Sequence, residues 1–346
     1  MKSSMNHLLV RDVLVKIGHA VCDKVHHSLL TQTTEARSAV YKEEEEDTIF
    51  QIDRDVEEVL VPALEEIARK LGGIVLIAEG IGEHGVTILP ADITEEEAAI
   101  RIIIDPIDGT RGIMYDKRPA FFLAGAAPNK GPETSLQDIE VAVLTELPTS
   151  KCFQSDTLWA IRGLGAHAFT RMLLTGEIKE KSFAPSRATT IIGGFSQIAR
   201  FFPPGRDILA AMDDELISII KPDLPFGKAI IFEDQYISTG GQMYEMLMGH
   251  DRFIADIRPA LYRKLEREGK RTGLMCHPYD CATILIAEEA GIIVTDTYNR
   301  PLNAPLDVMS PVGFVLYANK AIYNEVQPVL AKLLVKYGLA DEGEVA

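Results

Sequence analysis

Residues Ile102 to Arg111 read IIIDPIDGTR: three branched apolar residues run into two aspartates three positions apart, with a proline between them and Gly-Thr behind. The branched run predicts a buried strand. A buried strand that ends in two like charges needs something to offset their repulsion, either a proton or a cation. Pro106 sets a turn from which Asp105 and Asp108 can point to one side, and Gly109 allows the backbone to approach a ligand closely. A second apolar stretch, Ile74 to Ala78, ends the same way at Glu79, and Asp280 stands at the start of the apolar segment DCATILIAEEAG. Each acid alone reads as a strand end or a helix cap. Together, beside apolar elements, they read as ligands for a hard divalent cation such as Mg²⁺, which takes carboxylate oxygens and backbone carbonyls like that of Ile107. Free N–H groups around Gly109 and Thr110 would form an anion cradle next to that cation. A cation site beside an anion site points to phosphoryl chemistry.

The rest of the chain narrows the class. Apolar positions from Asn6 to Leu30 recur at three or four residues and predict a long amphipathic helix. The polar stretch TQTTEARSAVYKEEEED lacks a core pattern and reads as a loop, with Glu43 to Glu46 a solvated charge run. Asp53 to Leu71 predicts a second helix, capped by Asp53, bent at Pro62 and stopped by Gly72-Gly73. Strands are predicted at 74–78, 100–104, 120–126, 139–144, 157–162, 189–192, 229–232 and 313–317, and helices at 206–220, 241–248, 280–290 and 321–337. Two helices, a run of mostly strands, then alternation is an α+β or layered αβαβα plan and not a regular parallel βαβ series. A boundary between halves is expected near residue 195, giving 1–195 with most of the acids and 196–346 completing the site.

The formal charge is −16, from 51 acids and 35 bases, with no dense Lys/Arg block, which argues against binding a nucleic-acid backbone. No apolar run reaches the ~20 residues of a membrane span, and the N-terminus lacks the features of a signal peptide. Four cysteines without a CxxC pair fit a reduced cytoplasmic protein. The eight histidines show no HExxH or paired spacing, and Ser196 lacks a GxSxG elbow, so zinc and serine hydrolase chemistry are not indicated.

Asp105 to Thr110, DPIDGT, resembles the central signature of the inositol monophosphatase-like superfamily of Mg²⁺-dependent, often Li⁺-sensitive phosphatases. The similarity extends from IDRDVE around Asp53 through LWAIRGLGAHA and STGGQMYEML to YDCATILIAEEAG and APLDVMSP, most of the chain. The resemblance implies a layered αβαβα sugar-phosphatase fold, a homodimer and two or three Mg²⁺ ions. Glu79, Asp105 and the Ile107 carbonyl would hold one ion; Asp105, Asp108 and Asp280 a second. Thr110, paired with Asp53, and Glu79 would orient and deprotonate the attacking water. Gly109 and Thr110 would hold phosphate oxygens, and Gly241 would touch the substrate's alcohol portion. Glu83 is an alternative to Glu79, and Arg111 is placed to meet a further anionic group or to form a surface ion pair. No carboxylate occupies Arg271 to Gly273, where true inositol monophosphatases carry the acid that contacts inositol, so inositol phosphate is not the default substrate. The implied activity is hydrolysis of a small phosphorylated alcohol or sugar. The alternatives are a bisphosphate-directed enzyme, of the fructose-1,6-bisphosphatase or 3'-phosphoadenosine-5'-phosphate phosphatase type, using bases among Arg252, Arg258, Arg263, Lys264, Arg267, Lys270 and Arg271, or a non-catalytic phospho-ligand binder.

Overall fold

In the computed structural model the run that ends at Asp105 is a strand with no polar face. The structure describes residues 5–43, 48–79, 81, 85–223 and 227–345, with side chains of 41–51 and 53–59 outside that description. The long N-terminal helix α1 (His7–Thr31) is followed by a one-turn helix α2 (Thr34–Arg37) and a hairpin, β1 (Val40–Glu43) with β2 (Thr48–Phe50). The expected loop over this stretch is therefore ordered secondary structure; Glu44 to Glu46 lie outside the described residues. Arg37 ties the segment down, buried with its Nε donating to the Met114 carbonyl at 3.1 Å. Helix α3 (Gln51–Ala68) runs straight out of β2, so Asp53 lies inside its first turn and is not its cap. Pro62 sits within it without ending it, and a 3-10 turn closes it at Gly72, whose φ of 81° suits glycine.

Eight strands follow: β3 (Ile74–Ala78), β4 (Val86–Leu89), β5 (Ile100–Asp108), then, after the short helix α4 (Thr110–Met114), β6 (Ala120–Pro128), β7 (Val141–Leu147), β8 (Gln154–Ile161), β9 (Ala166–Met172) and β10 (Ile178–Glu180). They form one sheet in the order β10-β9-β8-β7-β6-β5-β3-β4. Alternation on β3 and β5 explains their unbroken apolar character. Ile74, Leu76, Ile102 and Ile104 pack under α1 and α3, while Val75, Ile77 and Ile103 face the opposite layer.

That opposite layer contains α6 (Thr239–Leu247) and α8 (Ile284–Glu289). They separate the large sheet from a smaller one made of β11 (Phe195–Ile198), β12 (Asp251–Asp256), β14 (Phe314–Tyr317) and β13 (Ile293–Asp296). Helices α5 (Arg206–Ile220), α7 (Arg258–Arg267) and α9 (Lys320–Lys336) cover its far face through Leu209, Met212, Leu261, Leu265, Val326 and Leu330. The expected αβαβα layering is thus observed. Several boundaries differ. Residues 189–192 and 229–232 are not strands: the Arg252 guanidinium takes the carbonyls of Thr190 and Ile192, and Phe232 makes only a single bridge to Phe195. Helix α8 begins at Ile284, so Asp280 lies in the turns that precede it, and α6 begins at Thr239, two residues ahead of its expected start.

One buried acid on the sheet carries a pH prediction. Glu146 on β7 is pushed up to about 7 by burial and by the charge of Asp156, opposed by the Asp156 N–H and by Lys181, with Glu245 adding to the rise. Between the unfolded carboxyl value and pH 7 the folded chain therefore binds more protons than the unfolded one, and this group's contribution to stability falls as pH rises through that window. Glu146→Gln, which keeps the oxygen that accepts the Asp156 N–H at 3.2 Å, is expected to be more stable than the parent at pH 8 by up to about 3 kcal/mol. That advantage should vanish at pH 4. Denaturant melts of both proteins across pH 4–8 check it; a pH-independent difference would refute it.

Candidate active site

Strands β3 and β5 are parallel, with Ala78 opposite Ile104, so both chains deliver the residue that follows to the same edge of the sheet. Glu79 continues the Val75–Ile77 face and Asp105 the Ile103 face, so both acids turn towards the layer holding α6 and α8. Asp108 would ordinarily point away, since residues three apart lie on opposite faces. Here the pairing of β5 with β6 goes from Asp105↔Leu123 to Asp108↔Phe121, three steps on one strand against two on the other. The bulge, at Pro106-Ile107 where proline has no N–H to pair, absorbs the odd residue and brings Asp108 onto the face of Asp105.

Asp108 is then held by the start of α6. Ser238 Oγ donates to its Oδ2 at 2.8 Å, the Gly240 N–H donates to the same oxygen, and the Thr239 N–H reaches Oδ1 at 3.3 Å. Ser238 also caps the helix, accepting the Gly241 N–H at 2.8 Å. Gly240 is required by this approach: a Cβ there would lie 2.6 Å from Leu123 and 2.9 Å from Asp108 Oδ2. Gly241, expected to touch substrate, is instead buried against the ring of Tyr236, which a Cβ would meet at 2.6 Å, and it does not line the cleft. Asp280 arrives from the third side, its Oδ2 accepting the His277 N–H at 2.7 Å.

Oxygens of Asp105, Asp108 and Asp280 lie within 4.8 Å of one another, with Glu79 on the same cleft wall. Burial raises Asp105 well above the carboxylate range, and Asp108, Asp280 and Glu79 push it further; Asp280 is raised likewise by burial and by Asp108. Asp108 rises less, to about 6, because its hydrogen bonds to Gly240, Ser238 and Thr239 oppose burial. Mutually repelling, all-oxygen donors that converge on one point suit a hard divalent cation. Of the two basic side chains lining the cleft, Arg111 and Arg258, the second is already committed to Asp256, with Nη2 and Nε at 2.5 and 2.9 Å from its oxygens.

Gly109 connects the strand to α4 at φ 96°, against Ser238. Thr110 Oγ1 donates to the Ile107 carbonyl at 2.8 Å, and that carbonyl retains a second lone pair. Thr110 and Arg111 line the cleft, and Arg111 Cζ lies 5.6 Å from the centre of the Phe202 ring. The Asp53 side chain and Glu83 lie outside the described residues, so Glu79 is the strand-end acid the structure places here. Of the remaining bases in the 252–271 segment, Lys264 and Lys270 pair with Glu268, Arg263 packs over Tyr298, and Arg252 holds loop carbonyls; none lines the cleft.

Residues 6–118 match the model of the inositol monophosphatase family. The fold is similar to that of the fructose-1,6-bisphosphatase of Leishmania major in its holo form, with TM-score 0.64 and 13% identity over 93% of each chain. The family match thus spans the N-terminal third of the chain, and the fold over nearly its whole length is that of solved inositol monophosphatases and fructose-1,6-bisphosphatases. It is similar also to the extragenic suppressor protein SuhB from Bartonella henselae, with TM-score 0.60 and 15% identity over 94% of this chain and 99% of that one. The inositol monophosphatase from Anabaena gives TM-score 0.56 and 14% identity over 96% and 97%. A search of curated protein sequences returned no match. The matched residues include the DPIDGT stretch, while Asp280 lies beyond them.

The apolar part of the cleft lining was not anticipated. Phe201, Phe202, Ile237, Leu274 and Met275 belong to it. The signal for the first two lies in FFPPG: adjacent aromatics before two prolines and a glycine can continue neither a helix nor a strand, which leaves them on a loop.

Proposed function

We propose that this protein is a Mg²⁺-dependent phosphomonoesterase that hydrolyses a small phosphorylated alcohol or sugar. The observation that carries the reading is the convergence of Asp105, Asp108 and Asp280 on one point, with Glu79 beside them. Asp105, Asp108, Asp280, Glu79 and the Ile107 carbonyl would hold two or three ions, which when bound supply positive charge for the phosphate and lower the pKa of water. Around them, Glu79 accepts the proton of the attacking water and Thr110 Oγ1 holds that water in line, with Asp53 as the expected partner of Thr110. The N–H groups of Gly109 and Thr110, at the start of α4, hold phosphate oxygens. A homodimer in the cytoplasm is the setting this reading takes, in keeping with four free cysteines and with no described helix long and apolar enough to cross a membrane.

The test is release of inorganic phosphate from a panel of phosphate monoesters, with Mg²⁺, with Li⁺ added and with a chelator. Metal-dependent release abolished by the chelator is expected. Binding of Mg²⁺ without turnover of any ester would instead favour a non-catalytic binder of phosphorylated ligands.

A further inference from the structure

The lining of the cleft mixes two chemistries. The acids, Thr110, Arg111, Ser238 and Thr239 supply its polar groups, and Phe201, Phe202, Ile237, Leu274 and Met275 supply an apolar wall of rings and alkyl groups. The aromatic pair is held in place. Phe201 and Phe202 pack edge to face, 5.0 Å between centres and 87° between planes. Behind Phe201 lies the Arg258 guanidinium, 4.4 Å from the ring centre and fixed by Asp256 and by the Leu274 carbonyl at 2.9 Å. Phe202 is half-buried, with the Arg258 guanidinium 5.5 Å and that of Arg111 5.6 Å from its ring centre. A polyol bound with its phosphate at the acids would press hydroxyls against this wall and lose water without gaining partners. A flat ring loses little water there and gains stacking against a surface that is already ordered.

We propose that the substrate is a phosphate monoester whose alcohol carries a planar aromatic ring close to the phosphate, with Phe202 as the residue that selects it. This rests on the phosphomonoesterase reading above. Such a ring could belong to an aryl alcohol or to a nucleoside, and the two sources are separable with primary-alcohol esters of matched leaving group. With saturating Mg²⁺, kcat/KM is measured on the full chain for benzyl phosphate against glycerol 3-phosphate, and for adenosine 5'-monophosphate against ribose 5-phosphate. At least one aromatic ester should exceed its partner tenfold or more, and the pair that does identifies the source. Phe202→Ala should lower that ratio at least tenfold, the scale seen when a stacking aromatic is removed, whereas Phe202→Tyr, which keeps the ring, should retain it. Circular dichroism of both variants guards against misfolding. Polyol esters hydrolysed as well as or better than their aromatic counterparts, or a ratio unmoved in folded Phe202→Ala, would overturn the proposal and leave the phosphatase reading standing. Release from none of the four esters, nor from the wider panel, would overturn both.

Discussion

Asp105→Asn is expected to lower Mg²⁺-dependent phosphate release by about 10³-fold or more, the scale of removing a charge that several transition-state contacts depend on, and at the same time to raise the melting temperature of the metal-free protein. Activity falls because Asp105 is the acid common to both expected ion sites. The stability gain follows from the same geometry read without a cation. Asp105 is buried and repelled by Asp108, Asp280 and Glu79, so a neutral amide of equal shape relieves a charge that the fold holds at a cost. The backbone is spared, since Asn can still accept the Ile107 N–H that now donates to Oδ1 at 3.0 Å. The parent should gain thermal stability on adding Mg²⁺ and the variant should gain much less. Phosphate release and melting curves with and without Mg²⁺ check both halves. Undiminished turnover would remove Asp105 from the site.

The second large effect concerns Arg258, which contributes to the cleft through what it supports. Its side chain and that of Asp256 are almost fully buried and share three hydrogen bonds of 2.5 to 3.1 Å. Removing one partner of such a pair strands the other charge in an apolar setting, so Arg258→Met is expected to destabilise the fold by about 3–5 kcal/mol. Replacing both, Arg258→Met with Asp256→Leu, should recover much of that loss, because no unpaired charge remains. Denaturant midpoints of the single and double variants measure it. A single variant within about 1 kcal/mol of the parent would show that the pair is not the support we describe.

The aromatic wall shows how unevenly the site could be read. DPIDGT announces two acids and a turn because proline and glycine restrict the backbone locally, whatever lies around them. Glu79 is legible for a similar reason, as a charge that ends an apolar strand. Phe201 and Phe202 carry no such local signal of purpose: what singles them out is that they line one cleft with Asp105, Asp108 and Asp280, and elsewhere they would be ordinary loop aromatics. Gly241 is the converse case. The pattern around it matched, yet its role is to admit Tyr236, while its neighbour Gly240 makes room for Asp108. The strands expected at 189–192 and 229–232 did not form: the Thr190 and Ile192 carbonyls are taken by the Arg252 side chain, and Ile230 and Phe232 bond the backbone of residues 193–196 without extending a ladder.

By itself, then, the sequence determined the elements whose signals are local: the amphipathic helices, the strands buried on both faces, and the acids that end them. Only the tertiary structure decided that these acids share one face, because that depends on parallel pairing of β3 with β5 and on a one-residue bulge opposite β6. It also decided that α6 points its first N–H groups at Asp108 and that Phe201 and Phe202 line the same cleft as the acids. Pairing register and the approach of distant segments are set by long-range packing, which leaves no imprint on the local order of residues.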